Sequence, residues 1–294
     1  ASGQLYKIED VRGNALWETL EKNAMGQTTR STTGNGVQSL RYHNPATGRL
    51  QAVYSWKNQN ILQNLGYECD DFGNLAARYD KTKDLREDFT YDDLDRLTGV
   101  RLDGVPTGRM AYDPLGRMTG KQADGQAVFS SAQYGYTGPD GQTRPHAISG
   151  AQVQGNPFPT ERLDTDYTMF DKVSHITDGD FMSSTAGFDY GFGHQRTRMQ
   201  VEASDGALYG KTYIGNCERI DEASESPACR TFLSGPLGVF AVVETENGEE
   251  SVYYVLKDHL GSWTTITDAQ GNLVQEQSFD AWGNIVTSTD PVSM

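Results

Sequence analysis

The sequence predicts an all-β protein, an antiparallel meander of short hairpins making a curved sheet. Three observations carry that prediction. Glycine is frequent, 32 of 294 residues, above the usual roughly 7 %. Aromatic residues accompany it, 15 Tyr and 11 Phe. The glycines also recur in two turn patterns rather than at random.

The first pattern is Asp/Asn-x-x-Gly. It occurs at Asp10-Val11-Arg12-Gly13, Asn23-Ala24-Met25-Gly26, Asp70-Asp71-Phe72-Gly73 and Asp113-Pro114-Leu115-Gly116. It returns at Asp258-His259-Leu260-Gly261, Asp268-Ala269-Gln270-Gly271 and Asp280-Ala281-Trp282-Gly283. A type I turn favours Asp or Asn first, where the side chain accepts backbone N–H groups, and Gly fourth, where φ is positive. A strand on each side makes this the three-residue hairpin with a bulge. Asp92-Asp93-Leu94-Asp95 is a variant with Asp at the glycine position. The second pattern is the hairpin dipeptide of type I′ turns: Asn35-Gly36, Asp103-Gly104, Asp124-Gly125, Asp140-Gly141, Asp178-Gly179, Asp205-Gly206 and Asn247-Gly248.

In the clearest stretch, turn centres fall near residues 72, 82, 93, 103, 114 and 124. Such spacing is one short strand plus one turn, and two strands make a unit of about 21 residues that stacked neighbours must bury together. The runs between turns, such as Leu75-Ala76-Ala77-Arg78-Tyr79 and Leu97-Thr98-Gly99-Val100-Arg101-Leu102, mix apolar and polar residues in near alternation, as half-buried strands do. One or two helical turns are expected at most within 15–24, and 81–88 has helix-favouring residues. Neither shows a sustained 3.6-residue period. A WD40 propeller is the rival architecture. Its signature Trp-Asp dipeptide is absent at all four tryptophans.

Several units share a fuller motif: Tyr, then an acidic or Asn turn residue, the turn Gly, a basic or Asn residue, and an aliphatic. Examples run from Tyr42 to Gly48-Arg49-Leu50, Tyr67 to Gly73-Asn74-Leu75, Tyr91-Asp92 to Asp95-Arg96-Leu97, and Tyr112-Asp113 to Gly116-Arg117-Met118. Weaker copies follow Tyr167 and Tyr190. This resembles the YD repeat of the Rhs family of polymorphic toxins, shared by Tc-toxin C components and animal teneurins. Two longer segments resemble the family more specifically. One is Arg144-Pro145-His146-Ala147-Ile148. The other is the end block with Asp258, His259 and Gly261, then Asp268 and Gly271, then Asp280, Trp282 and Gly283.

The resemblance implies a structural shell, a spiralling sheet closed into a hollow that encloses a C-terminal toxin domain until delivery. It implies a secreted or delivered protein whose partners are the remainder of the same polypeptide or a partner shell chain, and the enclosed toxin. Along the chain, 1–41 reads as degenerate repeats, 42–137 as clear YD repeats, 138–215 as degenerate repeats with an insertion, and 216–294 as a truncated end block. All are parts of a single region, 1–294. Asp290-Pro291 lacks the glycine expected of the family's self-cleavage motif. The autoproteolysis site and toxin are therefore expected to lie outside this chain, and the chain to be a segment of a larger shell. The second reading is a cell-surface adhesion or carbohydrate-binding module contacting cell-surface glycans.

The charge bounds other functions. A formal charge of −15 opposes nucleic-acid binding and docking on anionic membranes. No apolar run approaches the ~18 residues of a membrane span, and the start, Ala1-Ser2-Gly3-Gln4, is not a signal peptide. Residues 216–294 hold three Lys/Arg and thirteen Asp/Glu. That segment is expected to be a solvated outer face or an acidic rim for a basic cargo. No catalytic residue, metal site or cofactor is expected, so the chain is not read as an enzyme. His43, His146, His175, His194 and His259 show no metal-ligand spacing, and those in family-like segments are expected to bond backbone at turns. A tyrosine in each repeat is expected to form a core or cross-strand ladder. If strands flanking residues 218–228 form a hairpin, Cys217 and Cys229 face each other, and a disulfide is expected there, with Cys69 left as a buried thiol.

Overall fold

The computed structural model describes residues 5–123, 126–130, 134–135, 141, 150–152, 162–178, 184–221 and 228–289. The segment 144–148 with His146, the Asp124-Gly125 turn, residues Asp140 and Gly179, and Asp290-Pro291 lie outside them.

The fold is all-β. The described residues contain 26 strands in two antiparallel sheets. The first sheet holds β1 (Lys7–Glu9), β2 (Ala15–Lys22), β3 (Thr28–Thr33), β4 (Gln38–His43), β5 (Leu50–Lys57) and β6 (Asn60–Cys69). It continues through β7 (Leu75–Asp80), β8 (Leu85–Tyr91), β9 (Leu97–Leu102), β10 (Val105–Tyr112), β11 (Met118–Ala123) and β12 (Gln126–Ser130). The second sheet begins with β13 (Tyr134–Gly135), β14 (Gly150–Gln152), β15 (Arg162–Tyr167), β16 (Val173–Asp178), β17 (Thr185–Tyr190), β18 (Arg196–Glu202) and β19 (Leu208–Ile214). It ends with β20 (Cys217–Asp221), β21 (Ala228–Gly235), β22 (Gly238–Glu246), β23 (Glu249–Lys257), β24 (Trp263–Thr267), β25 (Leu273–Phe279) and β26 (Ile285–Thr289). Order in each sheet equals order in sequence, and neither sheet closes on itself. Successive turns therefore fall on opposite edges of a sheet.

The stretch expected to admit a helical turn is strand β2. Trp17 and Thr19 are buried while Leu20 is exposed, a period of two rather than 3.6. Residues 81–84 form a turn into β8.

The chain divides into two compact units, Ala1–Phe89 with Leu102–Gly104 and Thr231–Met294, and Thr90–Arg101 with Val105–Arg230. In the first unit, strands from the beginning of the chain face strands from its end as a two-layer sandwich. Trp17 packs with Phe240, Ala241 and Tyr254, and its ring lies 6.3 Å from that of Phe240. Val53, Leu65 and Tyr67 form the inner face of one layer. In the other layer Ala241 and Tyr254 face across, while Val242, Val255 and Ile266 cluster with Phe232, Trp263 and Val274 of the same layer on its other face. In the second unit the buried side chains include Val100, Met110 and Ile220.

Candidate functional site

The repeat turns are the chemistry-bearing feature of the fold, and those that open on Asp share one construction. In the Asp113 turn, the Gly116 amide donates to the Asp113 carbonyl and the Asp113 amide to the Arg117 carbonyl, at 3.0 and 2.9 Å. Asp113 Oδ1 accepts the amides of Leu115 and Arg117, each at 2.9 Å. Oδ2 accepts Arg117 Nε at 2.7 Å. Asp92 and Arg96 repeat the arrangement, as do Asp10 with Asn14, Asp268 with Asn272 and Asp280 with Asn284. This explains the basic or Asn residue after the turn glycine. Its side chain binds the second oxygen of the first-position aspartate. The fourth position is left-handed throughout, with φ +82° at Gly116 and +58° at Asp95, and Asp tolerates that region better than most residues. The hydrogen bond to Asn14 lowers the Asp10 carboxyl below its ordinary value, and that to Arg96 lowers Asp92.

Neighbouring turns are tied together. Arg96 Nη1 donates to the Asp113 carbonyl of the next turn at 3.0 Å, and its guanidinium lies over the Tyr112 ring, 4.9 Å from the centroid. Tyr112 Oη donates back to the Leu97 carbonyl at 2.8 Å. Tyr190 makes the same bond to Val173 at 2.6 Å. In the first unit, Gln27 Nε2 donates to the Gly48 carbonyl at 2.8 Å, and the Arg49 guanidinium covers Gly73 so closely that a Cβ there would collide with it.

The expected end-block and repeat residues meet in the first unit. The turn of Asp258, His259 and Gly261 places the His259 ring 4.5 Å from the Tyr67 ring. The His259 amide donates to Tyr67 Oη at 3.1 Å. Burial raises the Tyr67 phenol well above its ordinary value and lowers His259. The expectation that the His259 ring nitrogens bond backbone is corrected at Nδ1, which is buried without a hydrogen-bond partner. The ring is used for its face. Polar rungs link the two layers. Gln63 Nε2 donates to Thr264 Oγ1 at 2.7 Å and to the Lys257 carbonyl at 3.1 Å. Asn35 Nδ2 donates to Thr267 Oγ1 at 2.9 Å and to the Asp268 carbonyl at 2.8 Å. Lys57 Nζ donates to the Gln270 carbonyl and Arg78 Nη2 to that of Phe279. Burial, with Arg41 beside it, lowers the Lys257 ammonium to about 8.

Other expectations change. Tyr42 does not join a core ladder, being 54 % exposed where Tyr67 is 7 %. It stands two residues before its turn residue Asn44, whereas Tyr67 stands three before Asp70, so alternation sends them to opposite faces. Asn35-Gly36 and Asp205-Gly206 are not type I′ turns. Only their glycines have positive φ, and Thr33 and Ala203 open turns of the first kind. Asp103-Gly104 and Asn247-Gly248 have positive φ at both residues. Cys69 is exposed, not buried, because a bulge between Glu68 and Cys69 breaks the alternation at the end of β6. Lys211-Thr212-Tyr213-Ile214, expected to form a hairpin with the strand after residue 228, pairs instead with β20, which takes up the start of the 218–228 segment. Cys217 and Cys229 are joined in the structure, with Cα atoms 6.7 Å apart. Among the described residues, no group of three or more His, Cys, Asp and Glu is placed to hold a metal ion. No helix there is long and apolar enough to cross a membrane.

The sequence did not point to Gln63 or Lys57, nor to the bonds Asn35 makes across the core. A buried amide gives no local signal until its partner across the core is known.

No family model matches this chain, and no curated protein sequence matches it. Solved structures do. A Photorhabdus luminescens Tc holotoxin pore carrying a mutant TccC3 matches with TM-score 0.69 at 16 % identity, over 94 % of this chain and 16 % of that one. A TcdB2–TccC3–Cdc42 crystal structure matches with TM-score 0.72 at 15 % identity, over 94 % of this chain and 16 % of that chain. The TcdB2–TccC3 crystal structure gives 0.70 at 16 % identity, over 96 % and 17 %. The fold is thus that of a stretch of these Tc-toxin chains, and this chain spans about a sixth of their length.

Proposed function

We propose that this chain is a wall segment of an Rhs-type toxin shell, a structural element without catalytic activity of its own. The wall encloses a toxin domain of the same polypeptide until delivery, in a protein that is secreted or delivered to a target cell. The observation that carries this reading is the turn ladder. Arg96, Tyr112 and Asp113 couple one two-strand unit to the next through side chain and backbone together, so the strip extends by repetition. Likeness of fold to a sixth of each Tc-toxin chain supports a strip belonging to something larger.

Limited proteolysis of the full-length gene product tests the reading. A wall segment predicts that a C-terminal toxin domain resists protease in the intact protein and becomes cleavable when the wall is loosened by denaturant. A C-terminal domain cleaved at once in the native protein contradicts it.

A further inference from the structure

The facing sides of the first unit's two layers are not apolar throughout. Arg41 stands opposite Val53, and Val53 opposite Leu65. The three share the face that carries Tyr67 and looks toward the second layer. Across from it lies Lys257, whose carbonyl accepts Gln63 Nε2. The Lys257 ammonium donates to the Leu237 carbonyl, and Leu237 packs on the Trp17 cluster. Arg41 lies close enough for its charge to depress the lysine. Two buried cations side by side call for an anion, because a charge taken out of water is costly unless paired. Among the described residues, no carboxylate forms an ion pair with either of them. Glu87 is taken by Arg78. Asp258 holds the amides of Leu260 and Ser262 in its own turn and bears on Tyr67 and His259. Four buried side-chain nitrogens among the described residues have no hydrogen-bond partner, and three of them gather here. They are Arg41 Nε, Nδ1 of His43 beside Arg41, and Nδ1 of His259 against the Tyr67 ring.

We propose that Arg41 and Lys257 bind an inorganic oxyanion, sulfate or hydrogen phosphate, between the two layers. Charge selects a dianion, since two cations are left without a carboxylate. Geometry selects a tetrahedral one. Arg41 offers a rigid planar fork from the first layer, and Lys257 offers rotatable donors from the second. Donors that converge from two sides suit oxygens pointing in several directions, whereas a carboxylate presents both oxygens in one plane and carries a single charge. The bound ion neutralises both cations and ties β4 to β23. It adds a charge-assisted link to the Gln63 and Asn35 rungs.

Isothermal titration calorimetry of the chain with sodium sulfate, in chloride buffer of matched ionic strength, is the measurement. Wild type is expected to bind one sulfate saturably, phosphate to compete for it, and acetate to bind more weakly. Arg41→Met and Lys257→Met are each expected to weaken sulfate binding by roughly tenfold or more. Arg101→Gln, at an exposed strand position, is expected to leave it unchanged. Urea midpoints separate loss of the ion from loss of the fold. In chloride, Arg41→Met is expected to match or exceed wild type, because it removes an unpaired buried charge. In saturating sulfate, wild type is expected to exceed the variant. A wild type with no saturable sulfate binding overturns the proposal. So does binding that survives both substitutions, that Arg101→Gln weakens equally, or that acetate matches. An Arg41→Met midpoint well below wild type in chloride also overturns it.

Discussion

At the scale of single residues, the turn aspartate organises everything around it. One oxygen of Asp92 holds two amides and the other holds Arg96. The effect of acid has a definite sign. Asp10 and Asp92 have carboxyls lowered from 3.8 in the folded state. Their contribution is fully present above pH 3.8 and is lost as pH falls through the lower folded value. Denaturant midpoints are therefore expected to fall as pH drops below about 4, and less steeply for Asp92→Asn. Lys257 acts in the other window. With a folded value of about 8 against 10.5, the native state sheds its proton first, so stability rises with pH between those values. Lys257→Met should flatten that rise in urea titrations. Asp171 holds φ +59°, and Asp171→Gly is expected to stabilise by about 0.5–1 kcal/mol through relief of left-handed strain. Thiol labelling of non-reduced protein is expected to mark Cys69 alone. Three labelled cysteines would exclude the Cys217–Cys229 bond.

At the scale of elements, the hairpin unit is legible in sequence because its determinants are local. Asp113, Gly116 and Arg117 sit within five residues, and their bonds close on one another. The same locality misled where a dipeptide was read without its flanks. Asn35-Gly36 looks like a two-residue turn, but Thr33 opens it. The Asn35 side chain is committed to Thr267 in a strand over two hundred residues away. Tyr42 and Tyr67 share a motif position in sequence yet point opposite ways, because one residue of spacing reverses the face. Between units the tie is the repeat tyrosine. Tyr112→Phe removes the bond to Leu97 while keeping the ring under Arg96. It is expected to cost about 0.5–1.5 kcal/mol, read as a lowered urea midpoint at unchanged slope.

At the scale of the molecule, the core of the first unit is long-range and could not be read from a period. Trp17 meets Phe240 and Tyr254, and nothing local to Trp17 announces them. Trp17→Ala is expected to cost about 3–5 kcal/mol, with loss of near-ultraviolet dichroism at lower denaturant. The proposal that this strip of coupled hairpins belongs to a larger shell wall is decided by an electron cryomicroscopy map of the full-length gene product. β2–β8 and β21–β26 are expected to lie in the wall of a closed hollow. A map in which these strands form a free-standing domain with no enclosed space would contradict it.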